Sequence, residues 1–263
     1  MNLNKLEQNI ISKKTFLCLG LDTDIDKIPK HLLSYDDPVF EFNKSMVDKL
    51  SKKIAAVKIN TAFYEARGTD GWNSLGKTIK HIKEYHPDLF TIADAKRADI
   101  GNTSKMYARA FFEKMQFDSI TLSPYMGYDS VTEFLNYENK YAILLALTSN
   151  DGAVDFQLKN ELYLSVVSES QKWKNSDRIM YVVGATKSDH LLKIRTLSEK
   201  SFLLIPGVGS QGGDFENVIL NSTQKNKRIL INISRAIIYA GNDENFLDYS
   251  EKVVDYYNSR TSL

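Results

Sequence analysis

The chain has 263 residues, 43% of them hydrophobic and 25% charged, and its 34 basic against 33 acidic side chains leave a formal net charge of +1. That composition excludes a disordered, collagenous or coiled-coil protein, and the near-neutral balance gives no global attraction to nucleic acid or to an anionic membrane, so an anion site has to be local. A single cysteine, Cys18, rules out an internal disulfide framework and a cysteine-based zinc centre. No apolar run reaches the ~18 residues of a membrane-spanning helix. The residues after Met1 lack the apolar stretch of a signal peptide, so a cytoplasmic location is expected.

Eight short apolar runs follow in chain order. The first, Thr15–Leu21, ends in Asp22 and leads into an irregular stretch, Asp24–Pro38. Val39–Leu50 then places Phe42, Met46, Val47 and Leu50 at helical spacing. The second run, Ile54–Ile59, carries Lys58 and ends in Asn60; the patternless Ala62–Trp72 follows, then a helical Leu75–Tyr85. The third, Leu89–Ala93, opens into Asp94, Lys96 and Asp99. The fourth, Ser119–Leu122, ends at Ser123-Pro124. The fifth, Tyr141–Leu147, precedes an irregular Thr148–Asp155 and a helical Leu158–Trp173. The sixth, Ile179–Val183, precedes a helical Asp189–Leu197. The seventh, Phe202–Ile205, runs into the glycine-rich Pro206–Gly213. The eighth, Arg228–Ile233, ends at Ser234-Arg235. Continuous apolar runs suit parallel strands buried on both faces, and strands alternating with helices indicate βαβ units. Eight such units, with no linker or repeat, predict an α/β protein built as a single (β/α)8 TIM barrel over residues 1–263. An open doubly wound sheet is the competing architecture.

In such a barrel the C-terminal strand ends carry the chemistry. Residues two apart on a strand share a face, which groups Lys58 with Asn60 and Asp94 with Lys96. Lys58, Asp94, Lys96 and Asp99 are therefore expected to converge as one array of alternating charge. Charges set in apolar strands are costly unless paired, and a paired array is pre-organised for electrostatic catalysis. The glycines at 207, 209, 212 and 213 allow backbone N–H groups close to an anion. With Arg235 beside them after strand eight they form the usual barrel phosphate site. The spacing fits neither a P-loop nor a dinucleotide fingerprint. Cys18 reads as a small buried hydrophobe. The histidines at 31, 81, 86 and 190 show no ligand-like spacing and are expected to be surface residues, with no metal site.

The run Asp94-Ala95-Lys96-Arg97-Ala98-Asp99-Ile100-Gly101-Asn102-Thr103 resembles the signature of the orotidine 5′-phosphate decarboxylase family. Val57-Lys58-Ile59-Asn60 with Phe63-Tyr64-Glu65, the 206–213 loop and Arg235 resemble that family's second-strand lysine segment and phosphate-binding elements. Leu21-Asp22 and Ser123-Pro124 fit its other substrate contacts. The resemblance implies decarboxylation of orotidine 5′-monophosphate to UMP, the last step of de novo pyrimidine synthesis, with no cofactor. It implies Lys96 as the proton donor to C6 within the Lys58, Asp94, Lys96 and Asp99 array. It implies substrate contacts from Asp22, Asn60, Ile100, Thr103, Ser123, Pro206, Gly207, Gly209, Gln211 and Arg235. A homodimer with shared sites is implied too, Asp99 and Thr103 completing the partner's site. Alternatives are a related sugar-phosphate decarboxylase or aldolase, for which Mg2+ stabilises an enediolate, and a non-catalytic nucleotide-binding barrel.

Overall fold

The computed structural model describes residues 1–209, 213–223 and 226–261. Helix α1 (Leu3–Lys13) comes first, its N-terminus capped by the Asn2 side chain, which accepts the Lys5 N–H, and Leu3, Leu6 and Ile10 buried. The chain then alternates: β1 (Leu17–Gly20), α2 (Pro38–Leu50), β2 (Ala56–Asn60), α3 (Ala62–Glu65), α4 (Gly68–Tyr85), β3 (Phe90–Arg97), α5 (Gly101–Ala108), β4 (Ser119–Leu122), α6 (Asp129–Leu135), β5 (Tyr141–Leu147), α7 (Leu162–Ser170), β6 (Ile179–Val183), α8 (Ser188–Leu197), β7 (Leu203–Pro206), α9 (Phe215–Ser222), β8 (Ile229–Ile233), α10 (Arg235–Ile238) and α11 (Phe246–Ser259). Each strand pairs in parallel with the next, and β1 closes on β8 with Leu17 opposite Ile231, so the sheet is a closed barrel and not an open one. Nearly every strand residue is buried, because side chains fill the barrel interior on one face and meet the helices on the other.

Three stretches differ from the sequence-based expectation. Ala62–Trp72 is helical: it holds α3 and the first turn of α4. Gly68 and Gly71, weak helix formers, erase the apolar period there. The helix expected over Leu158–Trp173 spans only Leu162–Ser170, because Asn160 and Glu161 adopt left-handed backbone (φ 52° each) and break it. β3 runs four residues beyond its apolar run, through Asp94 and Lys96 to Arg97. Among the described residues no helix is long and apolar enough to cross a membrane.

The end of the barrel remote from the strand C-termini is tied by buried polar groups. Asp118, just before β4, accepts from the α-ammonium group of Met1 (2.7 Å), from Lys83 (2.6 Å), and from the Thr91 backbone N–H (2.9 Å) and hydroxyl (2.8 Å). Arg195 on α8 is fully buried and donates to the carbonyls of Ser201 (2.7 Å) and Arg228 (2.9 Å).

Candidate active site

At the C-terminal mouth β1, β2 and β3 bring three strand ends together. Lys58 donates to Asp94 Oδ2 (2.9 Å) and to Asp22 Oδ1 (3.3 Å), while Lys96 donates to Asp94 Oδ1 (2.7 Å). The Lys58 side chain is 4% exposed and that of Asp94 11%, whereas Lys96 is half exposed and faces the opening. Burial presses Lys58 toward its neutral form, yet the carboxylates of Asp94 and Asp22 outweigh it and hold its pKa above the ordinary lysine range. Burial likewise presses the Asp94 carboxyl up. Lys58 and Lys96 overcome this and hold it well below the usual carboxylate range. Lys58 and Asp94 are therefore held as a charged pair at neutral pH.

The backbone arranges this. The β3–β4 register is irregular between Ala93 and Arg97, and Lys96 has φ 46°, a left-handed conformation uncommon outside glycine. Thr121 of β4 secures the distortion: its hydroxyl accepts the Lys96 N–H (2.9 Å) and donates to Asp94 Oδ1 (2.9 Å). Asp22 is set by Tyr239, whose hydroxyl donates to the Asp22 carbonyl (3.2 Å), and by the buried Tyr64, whose hydroxyl donates to Leu21 O (3.1 Å). Thr121 and Tyr239 escape a sequence reading, since a hydroxyl in an apolar strand or helix carries no chemical signature of its own; Tyr64 entered it only as part of the segment after Lys58.

A pocket of about 310 Å³ opens above the array, the lower end of the range for small-molecule sites. Asp22, Lys58, Asn60, Asp94, Lys96, Pro206, Gly207 and Arg235 line it as the sequence suggests. So do Thr148, Ser149 and Asn150, in the irregular stretch that follows β5 where active-face loops lie, and Asn232 and Ser234 at β8; none of the five was named as a substrate contact from the sequence. Gly207 and Gly209 both have positive φ (99° and 78°), and the loop closes on itself through the Gly213 N–H to Gly207 O (3.1 Å). Gly20 matters for a different reason: a Cβ there would lie 1.8 Å from Ser234 Oγ, so only glycine lets β8's end pack against β1. Gln211 lies outside the described residues.

Five of the expected residues do not line this pocket: Asp99, Ile100, Thr103, Ser123 and Gly209. Asp99 is not part of the charged array within its own chain. Its Oδ1 accepts the Ile100 N–H (2.8 Å), and among the described residues it makes no ion pair; Asp22 takes the fourth place instead. The reason is that β3 ends at Arg97, so Asp99 sits beyond the strand and turns with the loop into α5. Ile100 and Thr103 are exposed on that same segment. Arg97, inside the same run, points the other way: it forms an ion pair with Glu65 and lies over the Tyr107 and Phe111 rings. Away from the mouth, His81 and His86, unlinked by spacing, meet at Asp48.

Fold and geometry define a (β/α)8 barrel whose mouth holds a lysine–carboxylate array beside a glycine-rich loop and an arginine, the class that includes barrel decarboxylases and aldolases. Comparison narrows this. The model of the "Orotidine 5'-phosphate decarboxylase / HUMPS family" matches residues 15–248, and the chain belongs to that family. It is 56% identical over 252 residues to the orotidine 5'-phosphate decarboxylase of Christiangramia forsetii, covering 94% of this chain and 93% of that one. Its structure resembles the OMP decarboxylase of Leishmania donovani with a TM-score of 0.84 at 27% identity, each chain covered completely. It resembles the UMP synthase of the same organism with a TM-score of 0.82 at 28% identity, spanning 98% of this chain but only 56% of that longer one.

Proposed function

We propose that the protein converts orotidine 5′-monophosphate to UMP and CO2 without a cofactor, the last step of de novo pyrimidine synthesis. The observation that carries this reading is the hydrogen-bonded array of two lysines and two aspartates at the floor of a pocket whose opposite wall holds Arg235 and the Gly207 turn. Loss of CO2 from C6 leaves an electron pair on a ring carbon with no adjacent sink. The half-exposed Lys96 ammonium stabilises that charge and then delivers its proton to C6. Asp94, held ionised, orients Lys96 and sits against the departing carboxylate. Lys58 and Asp22, with Asn60, face the ribose. Pro206, Gly207, Gly209, Gln211 and Arg235 take the phosphate, a remote group whose binding energy lowers the barrier by closing the site against water. Ser123 reads the pyrimidine edge.

The position of Asp99 supports a shared site. It leaves its own mouth on a segment that also exposes Ile100 and Met106, and Tyr125 and Met126 after β4 are exposed as well. In a two-fold dimer this segment places Asp99, Ile100 and Thr103 at the partner's pocket. Purified protein in EDTA, mixed with orotidine 5′-monophosphate, is expected to abolish the ultraviolet absorbance difference between substrate and UMP. Activity only on restoring Mg2+, and only on an acyclic sugar phosphate, would favour the enediolate alternative. Binding of UMP without any CO2 release would leave a nucleotide-binding barrel.

A further inference from the structure

On the outer face of the barrel, opposite the mouth, α2 and α4 end side by side. Asp48 lies in the last turn of α2, His81 in the last turns of α4, and His86 is the residue that caps α4. Both Nε2 atoms, of His81 and of His86, lie 2.6 Å from the same oxygen, Asp48 Oδ1. All three donor atoms fall within 4.8 Å of one another, a grouping found nowhere else among the described residues. The imidazoles are largely covered, 11% and 16% exposed, while the carboxylate is 43% exposed, so the cluster opens to solvent on one side only.

We propose that Asp48, His81 and His86 form a binding site for a divalent transition ion of the zinc type, separate from the pocket at the mouth. Two imidazole nitrogens and one carboxylate oxygen are a common borderline donor set for Zn2+, Co2+ or Ni2+, with water completing the shell. Donors around tetrahedral zinc lie ~3.3 Å apart, given bonds of ~2.0–2.1 Å. The present contacts are shorter, and the exposed Asp48 carboxylate has the freedom to swing outward and admit the ion. Ring orientation is set beforehand: His81 packs on Tyr85 (centroids 4.8 Å) and meets the edge of Phe40 (6.2 Å). Two helix C-termini point at the site, and their exposed carbonyls favour a cation. Of the lysines in the same groove, Lys44 is paired with Glu41 and Lys77 with Asp37, and Lys80 shares the lining with Glu84. Occupation would bolt α2 to α4.

The test titrates EDTA-treated, dialysed protein with ZnCl2 by calorimetry and with CoCl2 by visible absorption. One equivalent of Zn2+ is expected to bind, with cobalt d–d bands and a higher unfolding temperature in zinc. His81→Gln and His86→Gln are each expected to weaken binding by more than about tenfold, with the metal-free unfolding temperature serving as the control for folding and decarboxylation unchanged. Absence of a one-equivalent site in the wild type, or wild-type affinity in the His81→Gln, His86→Gln double variant, would overturn the proposal.

Discussion

Lys96 combines a left-handed backbone with a half-exposed ammonium group at the mouth of the barrel. A left-handed backbone costs a non-glycine residue roughly 1–2 kcal/mol, here offset by the Thr121 hydroxyl that holds both its N–H and Asp94. Replacing Lys96 by alanine removes a group that acts in the transition state more than in binding. The variant is expected to fold, to keep measurable affinity for UMP, and to lose ~10²-fold or more in kcat; single-turnover kinetics beside UMP titration check it, and wild-type kcat would reject Lys96 as proton donor. Much of this site was legible in the residues, because lysines and aspartates in apolar strands demand partners. Its limits are equally physical. Within one chain the second carboxylate on Lys58 comes from Asp22, since spatial neighbours at a barrel mouth come from adjacent strand ends, β1 beside β2, while Asp99 stands outside its own pocket.

Among the elements, β4, β5 and β6 have the bounds their apolar runs suggest. Helices were harder: α4 shows its period only from Leu75 onward, and the short α5, α6 and α10 have too few turns to display one. Strand β4 is joined to β3 and to α1 and α4 through Asp118. Burial presses this carboxyl up, but Lys83 and the Met1 ammonium group outweigh it and leave its pKa below the ordinary value. Its ionised form therefore stabilises the fold at neutral pH. Asp118→Asn is expected to cost about 3 kcal/mol in urea unfolding at pH 7. Because the folded pKa is the lower one, that contribution is present above the unfolded value of ~3.9 and fades as pH falls through the folded value. The gap between wild type and variant should begin to narrow below about pH 4 and go on narrowing as pH falls through the lower, folded value; a gap unchanged across pH 3–7 would remove the ionised carboxylate as its source.

For the whole molecule the question is which chain supplies which charge. Lys58, Asp94 and Lys96 bind one another within a chain, whereas Asp99 stands outside its own pocket. Mixing inactive Lys96→Ala with inactive Asp99→Ala therefore tests assembly directly. In a mixed dimer one site collects both defects and the other neither, so activity is expected to return toward half of wild type per mixed dimer. Demonstrated subunit exchange without recovered activity would confine Asp99 to its own chain.

The seam between β1 and β8 carries a consequence for how the chain comes to be folded. Every other neighbouring pair in the ring joins strands consecutive in sequence, but here Cys18 of the first strand stands opposite Asn232 of the last. Closing this seam is a contact of long range, slow in proportion to the loop it must gather in. Until β8 has left the ribosome, β1 offers an open, apolar edge able to pair with any other strand.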